Sequence, residues 1–506
     1  MKLIFSCIAF LISTICISQT IDEAFENLLG EYNMMGMSAV VVCGNNVSFG
    51  GHYGLSNFEQ NTAVNAETKY RIASISKTIT ALAFMKLVEN GLVNLDDNIG
   101  DILGYEIINP NFPLISITPR MLLSHTSSLQ DGSGYNPFLS DTYTETIPSI
   151  SELITTEGSY FTDNMFLNNS PGTYFAYSNL NFGILGSLIE KISQQRFDVF
   201  VNENILIPLE IDGSFNIQDL SSLDDLAVIY RKENNIWTPQ ADDYQGIFPD
   251  PINFDSYTLG DNGLIFAPQG GLRISALDLS KIMILIKNDG EFNGLQILDS
   301  LTVAYMRNTE WLYNGSNGDD YGGLFKSWGL GLHKLTNTPN DDVIYENETM
   351  LGHAGEAYGL VSDMYFQEQG DFGIIFVTNG IGQAYEYGIN SDFYTVEDAA
   401  FEILYNYSVS DCLTSTSIGE SKNENKFEIF ISPNPCNSFV NIEFDNYNNA
   451  TTRIQMINAL GKYISVNPTN HSLGNLQFDT SNLPSGMYQL HFSDGIRSGS
   501  KSIVVE

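Results

Sequence analysis

Short apolar runs bounded by turn residues lie near both ends of the first 410 residues, which predicts strands at both ends. Residues 37–54, MSAVVVCGNNVSFGGHYG, predict a hairpin whose turn lies at residues 44–46. Residues 358–380, YGLVSDMYFQEQGDFGIIFVTNG, predict a second strand pair with a Gln-Gly turn. An amphipathic helix is predicted near Val396 to Tyr407. The two ends of this region are therefore expected to build one antiparallel sheet.

Between these strands, apolar residues recur with the period of an α-helix. The clearest runs are residues 76–91, 179–193 and 275–290, and Gly91 and Gly290 follow two of them as C-cap candidates. The pattern predicts an α/β (α+β) fold in which a helical subdomain is inserted between the two halves of the antiparallel sheet.

Composition changes abruptly near residue 411. Residues 414–426, TSTSIGESKNENK, contain no aromatic residue and no apolar period, so residues 411–426 are predicted to be a linker. Residues 427–506 contain short β-type runs separated by Asn, Gly, Pro and Ser, which predicts a small, sandwich-like all-β module. The main domain is accordingly placed at residues 19–410.

The first eighteen residues, MKLIFSCIAFLISTICIS, combine an early lysine, an apolar stretch and small residues before Gln19. This pattern is typical of a cleavable secretory signal peptide. Its removal leaves three cysteines, of which Cys43 is predicted to be a buried strand residue. The sequence leaves open whether Cys412 and Cys436 pair.

Charge and composition exclude several functional classes. The chain of 506 residues carries 22 basic and 60 acidic side chains, a net charge of −38, so nucleic acid is an unfavourable partner. No CxxC or HExxH motif occurs, which gives no support to a zinc site, and no cofactor motif is found. No permanent membrane span is expected after removal of the signal peptide.

Candidate chemistry begins with Ser74 and Lys77 at the start of a predicted helix. At i and i+3 the two side chains lie on one helical face. A serine hydroxyl is a poor nucleophile until a neighbouring group takes its proton, and a buried amine with a lowered pKa can do this. The same SxxK spacing recurs at Ser498 to Lys501, so the motif by itself is weak.

Two further motifs follow in order along the chain. Tyr177 and Asn179 form a YxN triplet before a predicted helix, and His353 to Gly355 form an HxG triplet at a late strand. Both patterns also occur elsewhere, as YxN at Tyr345–Asn347 and Tyr447–Asn449 and as HxG at His52–Gly54. The three motifs occur together, in this order along the chain and each beside the expected helix or strand, and this combination is less easily produced by chance than any single motif.

With these motifs the region from residue 22 to 408 resembles the serine β-lactamase and penicillin-binding protein superfamily, in its class C-like branch. The segments ITPRMLLSHTSSL and PQGGLRISALDLSKIMILI are similar to standard segments of that family. The resemblance implies an acyl-enzyme mechanism in which Ser74 attacks, Lys77 and Tyr177 manage protons and Asn179 positions the substrate. It also implies an oxyanion hole from the backbone N–H groups of Ser74 and Glu356.

The third motif of class C lactamases is Lys-Thr-Gly, whereas this chain has His-Ala-Gly at residues 353–355. An HxG version resembles the D-specific peptidases, such as D-alanyl-D-alanine carboxypeptidases, and the esterases of the family. If the Glu356 side chain points inward, its negative charge would disfavour a substrate carboxylate. The alternative is that the side chain points to solvent and only the backbone of Glu356 takes part in the site. A D-amino-acid peptidase or esterase is therefore expected, with a true β-lactamase and a noncatalytic penicillin- or peptidoglycan-binding protein as alternatives.

The tail resembles the C-terminal sorting domain of the type IX secretion system of Bacteroidota. The matching residues are FEIFISPNPCNSFVNIEF, INALGKYI and the final segment from TSNLPSG to SIVVE. This implies export through the signal peptide, a secretion machinery that binds residues 427–506, and a secreted or cell-surface protein. The substrate, the oligomeric state and attachment to the surface are not encoded in any motif.

Overall fold

The computed structural model describes residues 19–144, 146–388, 391–409 and 412, together with parts of the segment 429–505. The predicted signal peptide and all of the predicted linker except Cys412 lie outside the described residues. The chain forms two compact units, Met1–Thr414 and Ser415–Glu506.

Fifteen strands are found in the described part of the first unit. They are β1 (Gly36–Cys43), β2 (Asn46–Asn57), β3 (Thr62–Ala63), β4 (Lys69–Arg71), β5 (Ile229–Glu233), β6 (Ile236–Ala241), β7 (Arg273–Ser275), β8 (Glu291–Phe292), β9 (Leu295–Gln296), β10 (Trp311–Leu312), β11 (Ser327–Trp328), β12 (His333–Lys334), β13 (Met350–Ala357), β14 (Leu360–Gln367) and β15 (Phe372–Thr378).

Nine of these strands form one antiparallel sheet in the order β10-β11-β12-β13-β14-β15-β1-β2-β3. The predicted pairing of the chain ends is observed, because β1 lies between its hairpin partner β2 and the late strand β15. The hairpin turn is slightly shorter than expected, since Asn46 already belongs to β2.

The α-helices of this unit are interspersed with short 3-10 turns. They are α1 (Ile21–Glu31), α2 (Ser76–Glu89), α3 (Ile99–Leu103), α4 (Pro119–Leu123), α5 (Tyr135–Thr142), α6 (Ser151–Ile154), α7 (Asn179–Ser193), α8 (Phe197–Val201), α9 (Ala276–Lys287), α10 (Ser300–Arg307) and α11 (Thr395–Leu404).

The sheet separates two apolar cores. Successive side chains of a strand point to opposite faces, so Val40 and Val42 of β1 join the larger core with α2, α7 and α9. Ala39 and Val41 join the smaller core with α1 and α11. The sheet is thus covered by helices on both faces, and the inserted helical region lies on the side that carries Ser74.

The structure defines the cysteine pairing that the sequence left open. Cys43 at the end of β1 forms a disulfide with Cys412, whereas Cys436 is a free, buried residue of the second unit. Cys43 is a strand residue, as predicted, but it is half-buried rather than buried. The 369-residue separation of the two partners left no local signal that could identify the pair.

Removing this disulfide is expected to destabilise the first unit. The bond restricts the unfolded chain over a very long loop, so Cys43→Ser should lower the free energy of unfolding by about 2–4 kcal/mol. Cys412→Ser and the double variant should cost the same amount, because both residues serve one bond. Urea denaturation of the four proteins measures this, and additive losses would contradict a shared bond.

The second unit contains eight described strands in two four-stranded antiparallel sheets. They are β16 (Ile429–Ser432), β17 (Phe439–Phe444), β18 (Arg453–Asn458), β19 (Tyr463–Ile464), β20 (Asn470–Ser472), β21 (Asn475–Asp479), β22 (Gly486–Ser493) and β23 (Ser498–Val505). Val440, Leu476 and Leu490 contribute to its apolar core. The all-β character predicted for the tail is confirmed.

Candidate active site

Ser74 lies in a 3-10 turn, Ala73–Ile75, that leads directly into α2. Ala73 adopts a left-handed backbone conformation with φ of 45°. For a non-glycine residue this conformation is costly, and such strain is concentrated at functional sites. The turn places Ser74 at the start of the helix, as the SxxK motif predicted.

Lys77 is completely buried beneath Ser74. Its Nζ lies 3.0 Å from Ser74 Oγ, 2.9 Å from Asn179 Oδ1 and 2.8 Å from the backbone oxygen of Gln269. Burial lowers the pKa of Lys77 to about 7, although the negative charge of Asp131 acts in the opposite direction. A substantial fraction of this lysine is therefore a neutral amine at physiological pH.

Asn179 is held in place by Asp131, which sequence reasoning missed. The Asp131 carboxylate accepts hydrogen bonds from the Asn179 side chain at 2.8 Å and from its backbone N–H at 3.0 Å. It also accepts from Ser178 Oγ and from the N–H of Leu180, both at 2.9 Å. An anion at the first turn of α7 satisfies free N–H groups and fixes the amide oxygen of Asn179 towards Lys77.

Tyr177 lies over Lys77, whose Nζ is 4.8 Å from the centre of the phenol ring. The ring stacks on the imidazole of His125 with their centres 4.4 Å apart. Burial raises the pKa of Tyr177 above its usual range, although a hydrogen bond with Ser74 acts to lower it. Tyr177 is thus a neutral phenol that can donate and relay a proton beside the nucleophile.

His125 was not singled out from its sequence segment. Its Nδ1 accepts a hydrogen bond from the backbone N–H of Ser178 at 3.1 Å, which ties the YxN segment to the turn after α4. Burial and the charge of Lys77 keep its pKa well below the usual value, so the ring is neutral. No short spacing connects His125 or Asp131 with the YxN motif, and only their shared contacts with α7 reveal them.

The HxG motif lies on β13, next to the nucleophile. A side chain at Gly355 would place its Cβ 3.0 Å from Ser74 N and 2.8 Å from the oxygen of Ile72, so only glycine allows this approach. His353 is buried and its Nδ1 lies 2.6 Å from the oxygen of Ala354, which requires a proton on Nδ1. Burial, followed by the charge of Lys77, lowers the pKa of His353 far below its usual value.

The Glu356 side chain is exposed, and its Oε2 accepts a hydrogen bond of 2.8 Å from the Tyr394 hydroxyl. The residue also lines the cavity beside Ser74. The Glu356 carboxylate is thus exposed to solvent at the rim of the cavity, where Tyr394 binds it.

Ser74, Asn179, Gln269 and Glu356 border a cavity of about 740 Å³. This volume lies in the range of small-molecule binding sites. The structure thus gathers Ser74, Lys77, Tyr177, Asn179, His353, Gly355 and Glu356 around one cleft.

The repeated motifs lie in unrelated surroundings. Ser498 to Lys501 belong to β23 of the second unit, and His52 on β2 bonds to Ser38 at 3.0 Å. Tyr345 is buried and donates its hydroxyl to the oxygen of Phe401. The triplet at residues 447–449 lies outside the described residues.

In the part of the chain that the structure describes, no group of three or more His, Cys, Asp or Glu residues is arranged to hold a metal ion. No helix in the same part is both long and apolar enough to span a bilayer.

Curated relatives match the chain over part of its length. Protein flp of Staphylococcus aureus strain N315 is 28% identical over 240 residues, 44% of this chain and 45% of flp. Penicillin-binding protein 4* of Bacillus subtilis strain 168 is 26% identical over 194 residues, 37% of this chain and 39% of that protein. The chain thus spans less than half the length of these relatives.

Solved structures share the fold at low identity. The octameric penicillin-binding protein homologue of Pyrococcus abyssi has a TM-score of 0.57 at 19% identity and covers 96% of both chains. The D-amino acid amidase of Ochrobactrum anthropi SV3 has a TM-score of 0.55 at 18% identity, covering 78% of this chain and 99% of that chain. These similarities confirm the predicted serine β-lactamase-like fold.

Two family models match the chain. The model described as Beta-lactamase matches residues 21–388, and the model described as Secretion system C-terminal sorting domain matches residues 430–506. Since the first model covers most of the chain, the protein belongs to the beta-lactamase family and carries a secretion system C-terminal sorting domain at its end.

Proposed function

We propose that the protein is a secreted serine hydrolase that forms an acyl-enzyme on Ser74 and acts on esters or on amides and peptides of D-amino acids. The observation that carries this proposal is the set of hydrogen bonds around Lys77. Two of its three partners, Asn179 Oδ1 and the oxygen of Gln269, are carbonyl oxygens that can only accept. The neutral amine therefore donates both N–H groups to them and directs its lone pair at Ser74 Oγ.

In the first step, Lys77 takes the Ser74 proton while Ser74 Oγ bonds to the carbonyl carbon of the substrate. The carbonyl π electrons move to its oxygen, which is stabilised by the backbone N–H groups of Ser74 and Glu356 in the proposed oxyanion hole. Asn179 holds Lys77 through its Oδ1 atom. Asp131 fixes the side-chain amide of Asn179, which is thereby presented to the substrate. Gly355 permits β13 to lie close enough to contribute to this site.

Collapse of the tetrahedral intermediate breaks the bond to the leaving group, which needs a proton. Tyr177, as a neutral phenol beside Lys77 and Ser74, relays that proton from the Lys77 ammonium. Water then attacks the carbonyl carbon of the acyl-enzyme while Lys77 and Tyr177 take its proton. The bond to Ser74 Oγ breaks and the proton returns to Oγ, which releases the acid and restores Ser74.

This mechanism predicts that hydrolysis depends on the protonation of Lys77. Because the amine must be neutral, kcat/KM for p-nitrophenyl acetate should rise about tenfold per pH unit below pH 7 and level off above it. The pKa of Lys77 near 7 sets this midpoint. Initial rates between pH 5 and pH 9, corrected for spontaneous hydrolysis, measure the profile. A flat profile would exclude Lys77 as the base.

The uncharged state of His353 affects which leaving groups the site favours. A lactamase of the Lys-Thr-Gly type has a cationic side chain at the third motif, whereas His353 is buried, uncharged and 6.1 Å from the Tyr177 ring between ring centres. An uncharged imidazole is a weak anchor for a carboxylate on the leaving side. Leaving groups without a carboxylate are therefore expected to react faster.

A turnover panel on the purified protein tests this proposal. It compares a p-nitrophenyl ester, D-alanine p-nitroanilide and a chromogenic cephalosporin, with a fluorescent phosphonate to report acylation of Ser74. Higher kcat/KM for the ester or the anilide is expected. Highest efficiency on the cephalosporin would favour the alternative of a true β-lactamase, and labelling without turnover would favour a noncatalytic binding protein.

The sorting domain indicates secretion or localisation at the cell surface. We further propose that residues 1–18 are a signal peptide and that residues 19–410 and 427–506 act as separate domains joined by a linker at 411–426. The disulfide of Cys43 with Cys412 supports export, because such bonds persist in oxidising compartments.

Deleting residues 427–506 is expected to leave ester hydrolysis intact and to prevent appearance of the protein outside the cell. The first unit retains Cys412 and both apolar cores in this variant. Immunoblots of periplasmic, surface and culture fractions measure the location. Normal export of the shortened chain would contradict the proposed role of the tail.

A further inference from the structure

The cavity beside Ser74 is lined by two arginines and one buried carboxylate, Asp242, which forms hydrogen bonds with only one of them. Strands β4 and β7 pair so that Arg71 lies directly opposite Arg273. Asp242 is buried, and its Oδ1 accepts from Arg273 Nη2 at 2.7 Å while both carboxylate oxygens lie 3.2 Å from Arg273 Nε. Arg273 also donates to backbone oxygens of Phe215 and Gly271. Its charge and its donors are therefore satisfied.

Arg71 is left without such partners. Its Nε is buried and has no hydrogen-bond acceptor, and the guanidinium forms no ion pair with any residue that the structure describes. The group lies 5.7 Å from the ring centre of Tyr358. Arginine remains charged in proteins, so Arg71, Arg273 and the single carboxylate of Asp242, whose pKa both arginines lower, leave a net charge of +1 on this side of the cavity.

The remaining charges of the cavity do not neutralise Arg71. Arg231, Asp250 and Glu356 also line it, and all three are exposed to solvent. Glu356 is already bonded to Tyr394. Exposed charges are screened by water and salt, whereas a half-buried guanidinium with free donors keeps its attraction for an anion.

Arg71 lies close enough to Ser74 to contact a substrate bound there. Both residues line the same cavity, and they are three positions apart on the chain. Their Cα atoms are therefore separated by at most about 11 Å. An acyl chain of a few carbons, attached at its carbonyl to Ser74 Oγ, spans the interval between Ser74 and the guanidinium.

We propose that Arg71 binds a carboxylate on the acyl portion of the substrate. The inference rests on the proposed acyl-enzyme function and adds the substrate class: esters or amides of dicarboxylic acids or of acidic amino acids, whose second carboxylate lies several atoms from the scissile carbonyl. A planar guanidinium forms two parallel hydrogen bonds to such a group. The guanidinium lies over the ring of Tyr358, 5.7 Å from the ring centre.

A matched pair of probes tests this assignment on the full-length protein. Mono-p-nitrophenyl adipate and its methyl ester differ only in the charge at the end of the acyl chain. The ratio of kcat/KM for the acid to that for its methyl ester should exceed one in the unmodified protein. It should fall at least about tenfold in Arg71→Met, and Arg71→Lys should retain part of it because the charge remains.

Arg231→Met is the matched control, because it removes the same charge from the exposed rim of the same cavity. Its ratio should stay within threefold of the unmodified value. An equal fall in both variants would overturn the assignment, since the preference would then reflect general charge. A ratio of one or less in the unmodified protein would overturn it as well.

The failure of the proposed function gives a different result. If neither probe is hydrolysed and the phosphonate does not label Ser74, the hydrolase proposal itself is wrong, and the Arg71 assignment falls with it. If the methyl ester is hydrolysed and the ratio shows no preference for the acid, the hydrolase stands and only the role of Arg71 is refuted. Thermal denaturation of each variant separates these results from misfolding.

Discussion

Ser74→Ala is expected to abolish hydrolysis of p-nitrophenyl esters and labelling by the phosphonate. Without Oγ no acyl bond can form, so kcat/KM should fall by a factor of about 10⁴ or more, to the spontaneous rate. Lys77→Ala should be nearly as damaging, because Ser74 Oγ then loses the amine at 3.0 Å. The double variant should be no worse than either single variant, since nucleophile and base act as one unit.

Ser498→Ala is the matched control for this prediction. It is the same substitution in the second SxxK spacing, which lies in β23 of the sorting unit. Its kcat/KM should equal that of the unmodified protein, and circular dichroism should show that all variants are folded. Residual activity of Ser74→Ala at more than a few per cent would end the proposed mechanism.

The sequence predicted those parts of the fold and site that depend on local spacing. Short apolar runs bounded by turn residues identified β1, β14 and β15, and a spacing of three identified Ser74 with Lys77 at a helix start. Both patterns follow from the geometry of one element, which a single sequence contains in full.

Features that depend on tertiary contact were not predicted. Asp131 is 48 positions from Asn179, and Cys43 is 369 positions from Cys412. The lack of an ion pair at Arg71 depends on Arg273 and Asp242, which are more than 170 positions away. Only the folded chain shows which of two arginines the single carboxylate satisfies.

The charge state of His353 depends on its surroundings, because an unperturbed imidazole has a pKa near 6.5. Burial and the charge of the neighbouring Lys77 keep the pKa of His353 well below that value, so the ring is neutral. The weak affinity proposed for leaving-group carboxylates should therefore persist in mildly acidic conditions.

Gly355→Ala is expected to impair the site strongly, although less severely than loss of the base. The added Cβ would lie 2.5 Å from Ser362 Oγ, 2.8 Å from the oxygen of Ile72 and 3.0 Å from Ser74 N. Ser362 is itself held by donating to the oxygen of Ile72 at 3.0 Å, so none of these atoms can yield without moving β13 or the turn at Ser74.

The consequence for catalysis follows from the proposed oxyanion hole. If β13 retreats by about 1 Å, the N–H of Glu356 no longer reaches the developing oxyanion, and a displacement of that size costs about 100-fold in rate. We therefore expect kcat/KM for p-nitrophenyl acetate to fall by about that factor, with a loss of about 1–3 kcal/mol in unfolding free energy from overpacking.

Gly30→Ala provides the matched control, because it adds the same methyl group to α1 at a position with no atom within 4 Å. Alanine favours a helix over glycine by about 0.5–1 kcal/mol, so this variant should be slightly more stable and equally active. Steady-state kinetics and urea denaturation of both variants measure the contrast. Full activity of Gly355→Ala would show that β13 does not contribute to the oxyanion hole and would require another donor in its place.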